Sequence, residues 1–230
     1  MRSVARSTAL VTLGMLALLA TTVPTLAAGP ELNTDEEKTL YAIGLAISSS
    51  LAPFTLTEAE LELVKAGLTD GVLKREQQVD LQTYGPKIQA MQRGRAAALA
   101  ATEKKAGEAY QAEAAAQSEA TKTESGLVII TLAPGTGDAP AATDKVKVHY
   151  HGTLVDGTVF DSSVQRGEPA TFTLNGVIKC WTEALQLMKV GGKSRLVCPS
   201  ELAYGDRGAP PRIKPGATLV FEVELLEIVK

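Results

Sequence analysis

The chain has 230 residues, 45% of them apolar and 21% charged, which excludes an intrinsically disordered or collagen-like protein. A net charge of −3 gives no support to a basic nucleic-acid binder, and 2 Cys exclude a disulfide-dense scaffold. The aromatic residues are few, 5 Tyr, 4 Phe and 1 Trp, so where they sit carries information.

The chain opens with Arg2 and Arg6, an apolar stretch from about Ala9 to Ala20, and the small-residue run Thr25-Leu26-Ala27-Ala28. That order is the pattern of a secretory signal peptide, expected over residues 1–28 with cleavage near Ala27 or Ala28. The stretch is shorter than the about 20 apolar residues that a membrane span needs. No membrane insertion of the mature chain is therefore expected, and its destination is read as the periplasm, with secretion or the outer surface as the alternative.

From Glu31 to about Lys122 the pattern is helical. Thr34 with Glu37 and Thr57 with Glu60 have the spacing of capping boxes. Leu40, Ile43, Ile47 and Leu51 follow the first, and Leu61, Val64, Leu68 and Val72 follow the second, each set on one face of a short amphipathic helix. Asp80 can cap a third helix in which Pro86 falls early enough to be tolerated. Its apolar face continues through Ile88 and Met91, then fades. Of residues 90–120, 13 of 31 are alanine. Helix propensity is high there but little is offered for burial, so the expectation is a strut over about 81–121, with a disordered alanine-rich linker as the alternative.

Two short helices and the start of a third are too little to enclose a core in one chain, and a second copy would supply the missing surface. Residues 29–124 carry 10 Lys and Arg against 15 Asp and Glu, while 125–230 carry 11 against 11. The shift places a domain boundary at about 124. The expected fold is α+β, an all-helical dimerisation domain over 29–124 followed by an antiparallel sheet wrapped on a short helix over 125–230.

Beyond residue 124 the periodicity becomes that of strands. Leu127–Leu132, Ala170–Leu174, Ser194–Cys198 and Thr218–Ile228 are strand runs, and Val146, Val148 and Tyr150 alternate with Lys147, His149 and His151. Trp181, Leu185 and Met188 have helical spacing between them. Both histidines lie on the polar face of one strand without a carboxylate or thiol set at ligand spacing, so no metal site is expected. No nucleophile motif, P-loop or dinucleotide fingerprint is present, and neither covalent catalysis nor a cofactor is expected.

Five ordered blocks then carry a resemblance: Val148–Gly152, Asp156–Ser163, Val177-Ile178 ahead of Trp181, Leu202–Gly205, and Ala217–Leu225. Together they resemble the FKBP family of peptidyl-prolyl isomerases, and the helical N-terminal part resembles its bacterial Mip-like and FkpA-like branch. The resemblance implies an aromatic bowl of Tyr150, Phe160, Trp181, Tyr204 and Phe221 with Trp181 as its floor. It places Val177 and Ile178 on a rim, gives the Ile178 amide to a substrate carbonyl, sets Arg166 beside Asp161, and has Ile213 line the loop Gly208–Pro215. It further implies proline-containing unfolded or partly folded polypeptides as partners, macrolide inhibitors as possible ligands, and a homodimer through the N-terminal helices.

Within that frame Cys180 begins the short helix and Cys198 lies on the inward face of the strand beneath it. A Cys180–Cys198 disulfide and two buried thiols both remain open. The function implied is an envelope folding enzyme with accompanying chaperone activity. A peptide-binding chaperone or surface factor with incidental isomerase activity is the alternative.

Overall fold

The structure is a computed structural model in which residues 30–229 are described; the leader expected over 1–28 lies outside them. The chain divides into two compact units, Met1–Ala42 and Ile43–Lys230. The first contributes, among the described residues, the start of α1 (Asp35–Leu51). There the Glu37 amide donates to Thr34 Oγ1 at 3.2 Å and the Glu37 carboxylate accepts from the Thr34 amide at 2.8 Å, so two otherwise orphaned amides are satisfied reciprocally.

In the second unit α2 (Glu58–Val72) opens on the other capping box, Thr57 with Glu60. Arg95, on α3 (Leu81–Ala115), pairs with Glu60 and donates to the Phe54 carbonyl, tying that cap to the third helix. Asp80 accepts from the amides of Gln82 and Thr83, and Pro86 is accommodated within the helix. No residue of α1 or α2 is buried, and Leu40, Ile43, Leu61 and Leu68 all stand exposed.

The alanine-rich stretch is helical, as the strut reading has it, but it ends at Ala115 and not near 121. Residues Ala120–Lys122 form a strand, β1, which takes the edge of the sheet ahead of the boundary expected at 124. Pairing with β2 overrides helix propensity over these residues. The strands that follow are β2 (Val128–Ala133), β3 (Lys145–Leu154), β4 (Val159–Ser162), β5 (Ala170–Thr173), β6 (Lys193–Cys198) and β7 (Leu219–Val229). Between them lie the short helices α4 (Ser163–Arg166) and α5 (Lys179–Gln186). The antiparallel sheet runs β1-β2-β6-β7-β3-β4, with β5 also paired to β3.

The sheet buries its inner face and, at β2 and β6, a patch of its outer face. On the inner face Val146, Val148 and Tyr150 of β3 meet Phe221, Val223 and Leu225 of β7, and α5 lays Trp181, Ala184 and Leu185 across them. On the outer face Val128, Ile130 and Val197 pack with Ala114, while Tyr110 and Ala115 of α3 close the edge. The uninterrupted apolar run Leu127–Ile130 thus has a cause: alternate residues belong to two different cores.

The strut expectation fails over the second half of α3, which is docked on the sheet domain. A Cβ on Gly107 would lie 2.1 Å from Thr218 Oγ1, and one on Gly216 would lie 2.5 Å from the Ala100 carbonyl oxygen. Helix and loop approach that closely because glycine stands at both contacts. Lys104 pairs with Asp206 at 2.6 Å and with Glu201 at 3.3 Å, and Lys214 pairs with Glu103 at 2.9 Å.

Candidate active site

Five elements converge on the inner face of the sheet. The register of β3 and β7 sets Gly152 opposite Phe221 and Tyr150 opposite Val223, so the rings of Tyr150 and Phe221 stand on one face two positions apart. Gly152 makes the room: a Cβ there would fall 2.7 Å from the Phe160 ring and 3.0 Å from Phe221. Strand β4 supplies Phe160 and Asp161, β5 supplies Phe172, and the first turn of α5 supplies Trp181.

Trp181 is the hub. It is 4% exposed and meets Tyr150, Phe221 and Phe172 edge to face, with centroids 5.2, 5.3 and 5.5 Å apart. Phe160 meets Phe221 in the same manner at 5.4 Å. Such edge contacts contribute about 0.5–1.5 kcal/mol each beyond area burial, so the floor is held on several sides. The Trp181 indole N–H is buried and has no partner among the described residues.

A concavity of about 430 Å³ opens above this floor. It brings together Tyr150, Phe160, Asp161, Val177, Ile178, Trp181, Tyr204 and Phe221. Phe172 and Gly176 also line it and were not among the residues expected. The Phe172 signal lay in its strand, where it alternates with Ala170 and Leu174. Ile213 is not in this lining: it is buried in the core and lines a separate cavity with Pro53, Leu99 and Pro210. The short run Ala209–Ile213 folds back on itself through paired backbone hydrogen bonds, which accompanies that inward position. Arg166 also lies outside the lining, bonded to Asp161 and Tyr150, which belong to it.

One side of the concavity is polar. The Tyr150 hydroxyl donates to one Asp161 oxygen, Arg166 donates to the other, and Arg166 also reaches Tyr150 Oη at 2.9 Å. Partial burial opposes charge on Asp161, but the bonds from Tyr150 and Arg166 together with the Arg166 charge outweigh it and hold the carboxyl below its ordinary range. Burial pushes the Tyr150 hydroxyl up, helped by its bond to Asp161. At neutral pH the trio is carboxylate, neutral phenol and guanidinium.

The donors that could orient a peptide lie on the other side. Ile178 is the residue before α5, and no acceptor among the described residues takes its N–H. Tyr204 stands at the rim, 42% exposed. Thr182 Oγ1 donates to the Leu174 carbonyl at 2.6 Å and pins the start of α5 to the preceding turn. Cys180 and Cys198 are both buried and joined as a disulfide with Cα atoms 5.7 Å apart, linking the first turn of α5 to the end of β6.

The histidines are accounted for locally. His149 and His151 place Nδ1 at 3.2 and 3.0 Å from the hydroxyls of Ser163 and Ser162. Among the described residues no group of His, Cys, Asp or Glu could hold a metal ion, and no helix is long and apolar enough to cross a membrane.

An aromatic bowl with a tryptophan floor and one carboxylate at its side fits two sequence-family matches. Residues 137–226 match the FKBP-type peptidyl-prolyl cis-trans isomerase, and residues 36–128 match the domain amino terminal to FKBP-type peptidyl-prolyl isomerase. The chain is 46% identical over 212 residues to the FKBP-type isomerase FkpA of Aeromonas hydrophila, covering 87% of this chain and 79% of that protein. It is 45% identical over 207 residues to the FKBP-type 22 kDa isomerase of Escherichia coli strain K12, covering 87% and 98%. The chain belongs to the FKBP-type peptidyl-prolyl cis-trans isomerase family.

The crystal structure of FkpA from Escherichia coli matches with a TM-score of 0.64 at 34% identity, covering 86% of this chain and 98% of that one. The helical region followed by an antiparallel sheet domain is therefore a shared FKBP arrangement, and the protein is a peptidyl-prolyl isomerase of the FkpA-like branch.

Proposed function

We propose that this FKBP-type isomerase accelerates X-Pro rotation by holding the twisted amide in the Trp181 bowl without forming a bond to it. Rotation must overcome about 18–20 kcal/mol of amide resonance. Twisting lowers the charge separation between carbonyl oxygen and nitrogen, so a dry aromatic wall favours the twisted form over the planar one. Preference for the transition state over the ground state is what lowers the barrier, and each tenfold in rate needs about 1.4 kcal/mol of it. Tyr150, Phe160, Trp181 and Phe221 supply the wall, Val177 a rim, and the Ile178 amide and Tyr204 hydroxyl the orienting donors. Asp161, held ionised by Arg166 and Tyr150, acts on the amide electrostatically. Ile213 acts from behind the loop that carries it.

The observation that carries this reading is the convergence of three aromatic side chains, Tyr150, Phe172 and Phe221, on Trp181 beside an unengaged amide. The test is isomerisation of a proline tetrapeptide, with wild type against Asp161→Ala and Tyr204→Phe. Asp161→Ala should lower kcat/KM about tenfold, the equivalent of about 1.4 kcal/mol. A wild type no faster than the uncatalysed reaction rejects the reading.

The same proposal covers the cell-level role. The basic-then-apolar N-terminus supports export to the periplasm, where unfolded proline-containing chains would be the clients. The unburied apolar faces of α1 and α2 support a homodimer and accompanying chaperone activity, with 29–124 as the pairing region and 125–230 as the isomerase region.

A further inference from the structure

We propose that the concavity next to the bowl is a charge-selective subsite in which Arg212 receives an acidic side chain of the client polypeptide. The inference rests on the reading of the bowl as the X-Pro site and goes beyond it, by naming what the neighbouring client residue is.

This second concavity, about 530 Å³, is lined by Phe160, Asp161, Gln165, Arg166 and Arg212 among others. It shares Phe160 and Asp161 with the bowl. A chain advances at most about 3.3–3.6 Å per residue, so a side chain one or two positions from a proline seated against Phe160 reaches it.

Its charges are unequally committed. Asp161 has one oxygen on Tyr150 and the other on Arg166, and Arg166 spends a further donor on Tyr150. Those groups neutralise one another. Arg212 is different: Nη1 donates to the Phe160 carbonyl at 3.2 Å, and among the described residues no carboxylate pairs with it. The carbonyl bond fixes the guanidinium against the shared wall and leaves Nη2 and Nε as donors. With Arg166 and Asp161 cancelling, the concavity carries one net positive charge and a planar fork of N–H groups, the match for a carboxylate. Nothing in the twisting of an amide calls for this charge, and the aromatic bowl does not use it.

The experiment is a peptide series on the full mature chain, with Glu, Gln or Lys placed in turn at the two positions on each side of the proline. Binding is followed by the fluorescence of Trp181, the single tryptophan, and turnover by isomerisation rate. At low salt one position should favour Glu over Lys by about fivefold in Kd and in KM, with kcat little changed. That ratio should fall towards unity at 0.5 M salt, because an exposed pair is screened. It should also collapse in Arg212→Gln and survive in part in Arg212→Lys. Equal affinity for Glu, Gln and Lys at all four positions, with normal turnover of the Gln peptides, overturns the subsite and leaves the bowl intact. A Glu preference that persists in Arg212→Gln overturns it equally. Failure of every peptide to bind or turn over overturns the bowl reading and the subsite with it.

Discussion

From Tyr84 to Met91, α3 shows large apolar side chains to solvent, with Tyr84, Ile88 and Met91 at 42, 47 and 52% exposure; from Ala100 to Ala114 its buried residues are Ala100, Gly107 and Ala114. The half with the more hydrophobic residues is thus the half without a core. The two halves solve different problems. Large side chains left about half exposed ask for a partner surface. Small ones let the helix backbone come against β2, β6 and the Gly216–Thr218 turn, and contact is gained by proximity in place of side-chain bulk.

The largest effect should come from breaking the first half. If Ile88 and Met91 face a second copy, Ile88→Asp with Met91→Asp sets two charges in that interface. The dimer dissociation constant should rise by about a thousandfold or more, near 4 kcal/mol, as read by sedimentation. Turnover of a tetrapeptide should stay within about twofold, because neither residue lines the bowl. A monomeric wild type, or a double variant that dimerises as before, would overturn the assignment of this face.

The second half is tested by two glycines of the same helix. Nothing lies within 4 Å of a Cβ built on Gly94, whereas one on Gly107 meets Thr218 at 2.1 Å. Gly94→Ala should stabilise the protein by about 0.5–1 kcal/mol through helix propensity and unfolded-state entropy. Gly107→Ala should destabilise it by about 1–3 kcal/mol through overpacking. The sign difference is the decisive reading in denaturant unfolding; two stabilising substitutions would mean that α3 is a free strut after all.

The same contrast explains what could be read from the sequence. The aromatic bowl was legible because Tyr150, Phe160, Trp181, Tyr204 and Phe221 sit in ordered motif blocks, and because β3 and β7 alternate cleanly. The docked half of α3 was not, since periodicity arguments weigh side-chain bulk and Ala100, Gly107 and Ala114 have almost none. Strand β1 is only Ala120-Thr121-Lys122, too short and too mixed to show a period, and it exists because β2 offers it an edge. Gly152 stood inside a motif block, yet its task depends on rings from β4 and β7 that only the folded sheet brings together. Ile213 was expected only as a lining residue of the loop Gly208–Pro215, and its buried position depends on the fold-back of Ala209–Ile213, which no sequence period shows.

Where the two halves meet, Arg95 fixes α3 to the cap of α2, and its effect should appear only above a definite pH. The bond from Arg95, with those from the Thr57 amide and hydroxyl, holds the Glu60 carboxyl down at about 2, against 4.5 for an ordinary glutamate. A depressed carboxylate adds stability that is present above the unfolded value and lost as pH falls towards the folded one. Wild type should therefore exceed Glu60→Gln in stability at pH 6, and the gap should close between about 4.5 and about 2. A gap constant over that range would show that the pair does not hold α2 to α3.

The smallest effect belongs to the ion pairs that fringe the docked half. Lys104 bridges to Glu201 and Asp206, which flank the rim residue Tyr204, but both carboxylates are more than 60% exposed and the ammonium is 35% exposed. Solvent screens such pairs, so Lys104→Ala should lower stability only slightly at low salt and almost not at all in 0.5 M salt. The Gly107 contact is steric and has no such screening. If unfolding measured at both salt concentrations shows Lys104→Ala fading and Gly107→Ala unchanged, close backbone approach and not charge holds α3 to the isomerase sheet. The reverse pattern would make the docking electrostatic, and the small residues of the helix would then be there for propensity alone.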